Sequence, residues 1–423
     1  MRGAKSDERN KTGELAMVLK ELPRLRKRID LAQLVSIADR AEAVLSQLRD
    51  DLVEPWPRKQ PPMVTGSRLA KICKMDRTRV QYLCTRGNTN GEYPVGKVSG
   101  NNRTREFTLA EAQQFIRRTG TYMARPEGVA GVTIAVGNFK GGVGKTTTAV
   151  GIAQGLTLRG YKVLLVDLDP QASGTTLMGF VPTAEVTDEM TVMPYVFGDA
   201  ADLTELIIPA YWDNLDLMLS NPGLFGADYY LPNKQSKDPA FEYWAVLEKA
   251  MPALRQQYDA IVFDTPPSLA YLATNSFFSA DGIVVPLPPE TLDYASSVAF
   301  FRQFADLFLG LSQGKGVTKS FEFIKIFLSK VRKDIPSTSI VSSWIRDTYP
   351  ELLGRAELFE SNVVKKAQVE FKTIYDLEAR SYEGGTALFN RTVEAFDEMV
   401  DELVEQMEGI WVDALENGEF RLE

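Results

Sequence analysis

One run of ten residues carries the densest chemistry: Phe139-Lys140-Gly141-Gly142-Val143-Gly144-Lys145-Thr146-Thr147-Thr148. Glycines let a backbone approach phosphate oxygens, and the N–H groups at a helix start face anions along the positive end of the helix dipole. Lys145 would reach the β- and γ-phosphates of a nucleotide, and the Thr146 hydroxyl would hold Mg²⁺. Two carboxylate stretches follow. Val163–Ser173 is an apolar run ending in Asp167 and Asp169, which at i, i+2 point to the same side of a strand end. One carboxylate can sit in a hydrogen-bond network near the metal while the other orients an attacking water. Tyr258–Ser268 is a second apolar run, ending in Asp264, which reads as a Mg²⁺ carboxylate acting through water. Either cluster alone could be an aspartate capping the next helix. Their order and spacing behind a phosphate loop argue instead for one nucleotide site.

These residues need strand ends and a helix start to hold them. The apolar run Val132–Val136 leads into the loop and a helical pattern, 149–156, leaves it. Further strand-like runs at 162–167, 215–219, 259–264, 282–287 and 323–328 alternate with helical segments. That alternation predicts an α/β fold, a doubly wound and mostly parallel sheet with nucleotide at the carboxyl ends of its strands. The expected organisation is an amphipathic helix and linker over 1–60, a small basic domain over 61–127, and the nucleotide domain over 128–423.

Composition narrows the chemistry. The chain has no histidine, which excludes His-based triads and His-ligated zinc. Its two cysteines, Cys73 and Cys84, suggest a reducing compartment and no disulfide framework. No apolar run is long enough to span a membrane, and the first residues lack the apolar core of a secretory signal. The net charge of −8 is uneven: residues 1–128 hold 25 Lys/Arg against 15 Asp/Glu, so the remainder carries −18. A basic front on an acidic body points to nucleic acid.

Within the front, Leu25, Ile29, Leu34, Ile37, Ala41, Leu45, Leu48 and Leu52 recur at helical spacing. Such a stripe either packs on its own body or makes a dimer contact. After the proline-rich joint 55–62, Thr65 is placed to cap a helix, and Arg77–Arg86 reads as a second one. Val80 and Leu83 face inward there, and Arg77, Arg79 and Gln81 face outward. With the turn-rich stretches 88–93 and 99–103 as a wing, this pattern is that of a winged helix-turn-helix, and Arg68 and Arg103 join the candidate DNA contacts. Residues 61–125 hold 12 basic side chains against 4 acidic.

The loop departs from the common phosphate-loop pattern, with Phe139 in place of the first glycine and an added Lys140. In this it resembles the deviant Walker A ATPases, which include the ParA partition ATPases, MinD and the nitrogenase iron protein. Together with 166–171 and 262–267, the chain resembles ParA, in the larger subclass that carries a front helix-turn-helix and also acts as autorepressor. The resemblance implies a cytoplasmic, nucleoid-associated ATPase that sandwiches ATP and Mg²⁺ in a homodimer. It implies that Lys140 touches the partner subunit's nucleotide, that Gly141, Gly142, Val143, Gly144, Lys145, Thr146 and Thr147 hold ATP, and that Asp169 positions water. Asp167 stands beside Asp169 and indirectly near the metal. It implies a ParB-type centromere-binding partner, and nonspecific DNA contacts near Lys330, Arg332, Lys333, Lys365 and Lys366, although Val363 falls where smaller relatives carry arginine. The iron-protein reading fails because both cysteines lie in the front. A MinD-like membrane anchor fails because the tail 395–423 is acidic. A decayed ATPase conflicts with the intact Lys145, Thr146, Asp169 and Asp264. A replication-associated repressor of the same family remains the alternative.

Overall fold

The structure, a computed structural model, describes residues 29–52, 59–99, 104–379, 382 and 384–418. The basic run 24–28, the prolines at 55 and 57, and Arg103 of the expected wing lie outside them. Contacts divide the chain into two compact units, Met1–Asp51 and Leu52–Glu423. In the first, the helix Leu31–Leu52 leaves Leu31, Leu34, Val35, Ile37, Val44 and Leu45 exposed. Of the stripe read from the sequence, the side chains of Ile29, Leu34, Ile37, Ala41 and Leu45 are among those described, and all are exposed.

The second unit contains two sheets. The smaller is antiparallel, with order β1 (Val64–Thr65), β3 (Thr104–Phe107), β2 (Lys97–Ser99). Thr65 caps the helix Gly66–Ile72 by accepting from the Arg68 N–H at 3.2 Å. A four-residue turn leads to the helix Arg77–Leu83. Thr108 and Glu111 bond reciprocally to open the helix Leu109–Thr119. Leu69, Val80, Leu83, Phe107 and Phe115 fill the space between these elements, while Arg77, Arg79 and Gln81 stay exposed. Cys73 and Cys84 are buried in that core, and burial pushes both thiols up, Cys73 to about 12. They are apolar filling, not reactive groups.

The larger sheet has eight strands in the order β11-β10-β9-β4-β8-β5-β7-β6. These are β4 (Val132–Val136), β5 (Val163–Asp167), β6 (Ile208–Pro209), β7 (Leu215–Met218), β8 (Ala260–Asp264), β9 (Gly282–Leu287), β10 (Phe323–Val331) and β11 (Leu353–Phe359). Every pairing is parallel except β6 on β7. The expected doubly wound, mostly parallel sheet is borne out. Sequence reading did not find β11, because an edge strand carrying Gly354, Arg355 and Glu357 has no continuous apolar run.

The helix Thr386–Asn417 closes one face of this sheet. Its buried face includes Phe396, Val400, Leu403, Met407 and Trp411. It settles closely on the phosphate-loop helix Lys145–Thr157 because that helix carries glycines at the contact. A Cβ on Gly151 would lie 2.8 Å from the Phe396 ring, and one on Gly155 would lie 2.5 Å from Val400.

The acidic side of the same helix receives the basic front. Arg68 makes a two-pronged ion pair with Asp397, with Nη2 to Oδ1 at 2.7 Å. Arg159, its side chain 1% exposed, donates to Asp401 at 2.7 Å and to the Asp397 carbonyl at 2.9 Å. Tyr122 donates to Asp401, and Glu408 accepts the Met123 N–H. Burial alone would raise the Asp397 carboxyl, but Arg68 and Arg159 overrule it and hold it low. Arg68 is thus corrected from a candidate DNA contact to a structural tie. The boundary expected at 127/128 marks a change of topology and not a break in packing, since one hydrophobic core runs from Val64 to Ala414.

Candidate nucleotide site

Register builds the site. Val136, at the end of β4, lies level with Asp264, and Asp264 lies level with Asp167 on β5. Three adjacent parallel strands therefore deliver the phosphate loop and two carboxylates to one edge. The loop turns through Gly142 at φ 75° and Gly144 at φ 100°, which a side chain would strain. Its backbone is held by Asn138, whose Oδ1 accepts from the Lys140 N–H at 3.0 Å, and by Ser329, whose hydroxyl donates to the Val143 carbonyl at 2.9 Å. A cavity of about 640 Å³ opens over the loop, lined also by Asp169, Gln171, Ser173, Pro267 and Gln368. Lys145 is 6% exposed and donates to the Lys140 carbonyl at 2.9 Å. Burial lowers its pKa against the pull of Asp264 and Asp169.

The three aspartates have different surroundings. Asp167 accepts from the Thr175 N–H at 2.7 Å, the Thr175 hydroxyl at 2.9 Å and the Asp169 N–H at 3.1 Å. It is a buried scaffold for the loop that follows. Asp169 bonds only locally, accepting from the Gln171 N–H at 2.9 Å, and faces the cavity. Its carboxyl is raised by burial, moderated by Gln171 and Lys145. Asp264 is fully buried, and neither of its oxygens has a hydrogen-bond partner among the described residues. Burial first, then the facing Asp167, pushes its carboxyl well up, with Thr146 and Lys145 acting against this. An orphaned buried carboxylate beside a threonine hydroxyl suits a hydrated divalent cation.

This predicts a pH effect. A carboxyl whose folded pKa is raised contributes stability fully present below its unfolded value near 4, and lost as pH rises through the folded value. Asp264→Asn should therefore leave the nucleotide-free protein unchanged only below about pH 4 and stabilise it increasingly above that, by about 1–3 kcal/mol at pH 8. Calorimetric unfolding at the two pH values measures this, and equal native and variant midpoints at pH 8 would remove the unpaired charge.

Of the other expected contacts, Lys140 pairs with Asp293, and Thr147 accepts from Gln368 Nε2 at 3.0 Å. Lys330 and Lys365 line the same cavity as the loop. Arg332, Lys333 and Lys365 line an adjoining cleft of about 480 Å³ with Arg391. These cations are exposed and Lys366 is half-buried, and several have carboxylate neighbours: Glu360 for Arg332 and Lys365, Glu357 for Lys333, Glu370 for Lys366. Such surface pairs hold weakly and open to a stronger anion. Sequence reading missed Asp293, Ser329 and Gln368. Only Ser329, at the end of an apolar run, left a local signal.

Strand, phosphate loop and flanking carboxylates on a parallel sheet define a P-loop nucleotide-binding protein. A family model described as an AAA domain matches residues 131–305. Protein SopA of Escherichia coli strain K12 is 30% identical over 306 residues, covering 71% of this chain and 77% of SopA. Chromosome partitioning protein ParA of Myxococcus xanthus is 34% identical over 160 residues, covering 38% of this chain and 53% of that protein. A solved structure titled Partition Protein shares the fold at a TM-score of 0.60 and 18% identity, over 89% of this chain and 99% of that one. The chain belongs to the ParA family of partition ATPases. Among the described residues, no helix is long and apolar enough to cross a membrane.

Proposed function

We propose that this chain is an ATP-driven DNA segregation ATPase working in the cytoplasm on the nucleoid. The observation that carries this is the unpartnered, buried Asp264 beside Thr146 and Lys145 at the ends of adjacent strands. Lys145 and the loop N–H groups hold the β- and γ-phosphates, and Thr147 lies toward the α-phosphate. Thr146, with Asp264 through water, holds Mg²⁺, which when bound neutralises phosphate charge. Asp169 accepts a hydrogen from the attacking water and aims its oxygen in line with the γ-phosphorus. Lys140 of one subunit reaches the nucleotide of the other, so that charge neutralisation is complete only in the dimer. With no histidine in the chain, turnover is slow and open to stimulation by a ParB-type centromere-binding partner. The ATP dimer holds DNA through Lys330, Arg332, Lys333, Lys365 and Lys366, whose weak carboxylate partners yield to phosphate. The exposed stripe on Leu31–Leu52 supplies a second contact between subunits.

The segment 61–127 reads its own operator as a winged helix-turn-helix, through Arg77, Arg79 and Gln81. Point variants test this better than deletion, because deletion would also strip Arg68 from Asp397. Arg77→Ala with Arg79→Ala should weaken operator binding at least about tenfold at fixed salt while leaving basal ATPase intact. Unchanged footprints would refute the recognition surface. The function itself is tested by ATPase rate and DNA binding with ADP and with ATP, with and without the neighbouring gene's product. A protein that represses its operator but shows no ATP-dependent DNA binding would be a replication-associated repressor instead.

A further inference from the structure

We propose that Asp293 is a positioning residue for Lys140, holding that lysine within its own subunit until a second nucleotide-bound subunit competes for it. The inference rests on the trans role of Lys140 given above. Lys140 Nζ lies 2.7 Å from Asp293 Oδ2. The Asp293 side chain is 5% exposed and that of Lys140 35%, so the acid is fixed in the body and the cation sits at the rim. Among the described residues, Lys140 is the one cation at ion-pair distance from Asp293.

Asp293 stands in the first turn of the helix Thr291–Lys315, where the helix dipole favours a carboxylate. The same helix grips the loop a second time: Phe300 packs on Phe139 with ring centroids 4.6 Å apart, and Phe277, from the helix Tyr271–Ser279, adds an edge contact at 6.4 Å. Phenylalanine in place of the usual glycine is thus an anchor, and the lysine after it is the tether.

The tether is linked to nucleotide entry. The Lys140 carbonyl accepts the Lys145 ammonium, the group that must turn to incoming phosphates. Nucleotide therefore releases the backbone of Lys140, and only a partner subunit's phosphates can then compete for its ammonium. Taking a cation from a buried carboxylate opposes that transfer. The ion pair sets a threshold on dimerisation and leaves the chemistry itself untouched.

The test uses the full chain with a non-hydrolysable ATP analogue and Mg²⁺, and reads the dimer dissociation constant by sedimentation. Asp293→Asn should tighten the dimer about tenfold. The protein concentration for half-maximal ATPase activity should fall by the same factor, with kcat at saturating protein unchanged. In a Lys140→Gln background the same substitution should do nothing, because its effect runs through that lysine. An unchanged or weaker dimer with normal ADP affinity would overturn the proposal, as would equal tightening in the Lys140→Gln background. Asp293→Ser carries the same test if the amide variant does not fold. If Lys140→Gln alone dimerises and hydrolyses like the native chain, it is the trans role of Lys140 that fails, before Asp293 enters.

Discussion

Lys145→Ala is expected to abolish nucleotide binding, with affinity falling by on the order of 100-fold or more. Lys145 is the buried cation at the base of the cavity, facing Asp264 and Asp169. Without it, the anionic β- and γ-phosphates would enter a site whose nearest acids are no longer balanced. The nucleotide-free fold should be largely indifferent, because the ammonium's hydrogen bond there is to the Lys140 carbonyl, next to the open cavity. Titration calorimetry with ATP and ADP, read beside the thermal midpoint, separates the two effects. An unchanged affinity in a folded variant would remove this cavity as the nucleotide site.

Asp169→Ala should keep ATP affinity within about threefold and lower turnover by about 10²–10⁴. The loop around it does not depend on the carboxylate. The Asp169 carbonyl accepts from the Ser220 hydroxyl at 2.6 Å and from the Ala172 N–H at 2.7 Å, and both bonds survive the substitution. Only the Gln171 N–H loses a partner. Single-turnover hydrolysis measures the loss, and a native rate would move the water-positioning role to another group. In the native chain, turnover should fall as pH drops through the raised Asp169 value, since only the ionised form accepts the water's hydrogen.

The site was legible in the sequence because its parts are local. A phosphate loop between strand and helix, and aspartates closing apolar runs, need no tertiary knowledge to recognise. Adjacency of β4, β8 and β5 then follows from parallel topology. What stayed hidden depends on long-range pairing. Arg68 reads as a candidate DNA contact until Asp397, 329 residues later, takes it. Lys140 reads as free until Asp293 is found on a helix more than a hundred residues away. Sequence reading sets the acidic tail against an anionic membrane, but its use in receiving the basic front could not be seen from charge alone.

The helix Thr386–Asn417 leaves the ribosome after everything it packs on. Until it arrives, the glycine notch at Gly151 and Gly155 is bare, Arg159 has no carboxylate, and Arg68 lacks its ion-pair partner. The segment 61–127 therefore completes its packing only once this helix is in place. A nascent chain stalled before residue 386 would present an open apolar sheet face and a front segment without its ion pairs, so the protein should need chaperone shelter late in translation rather than early.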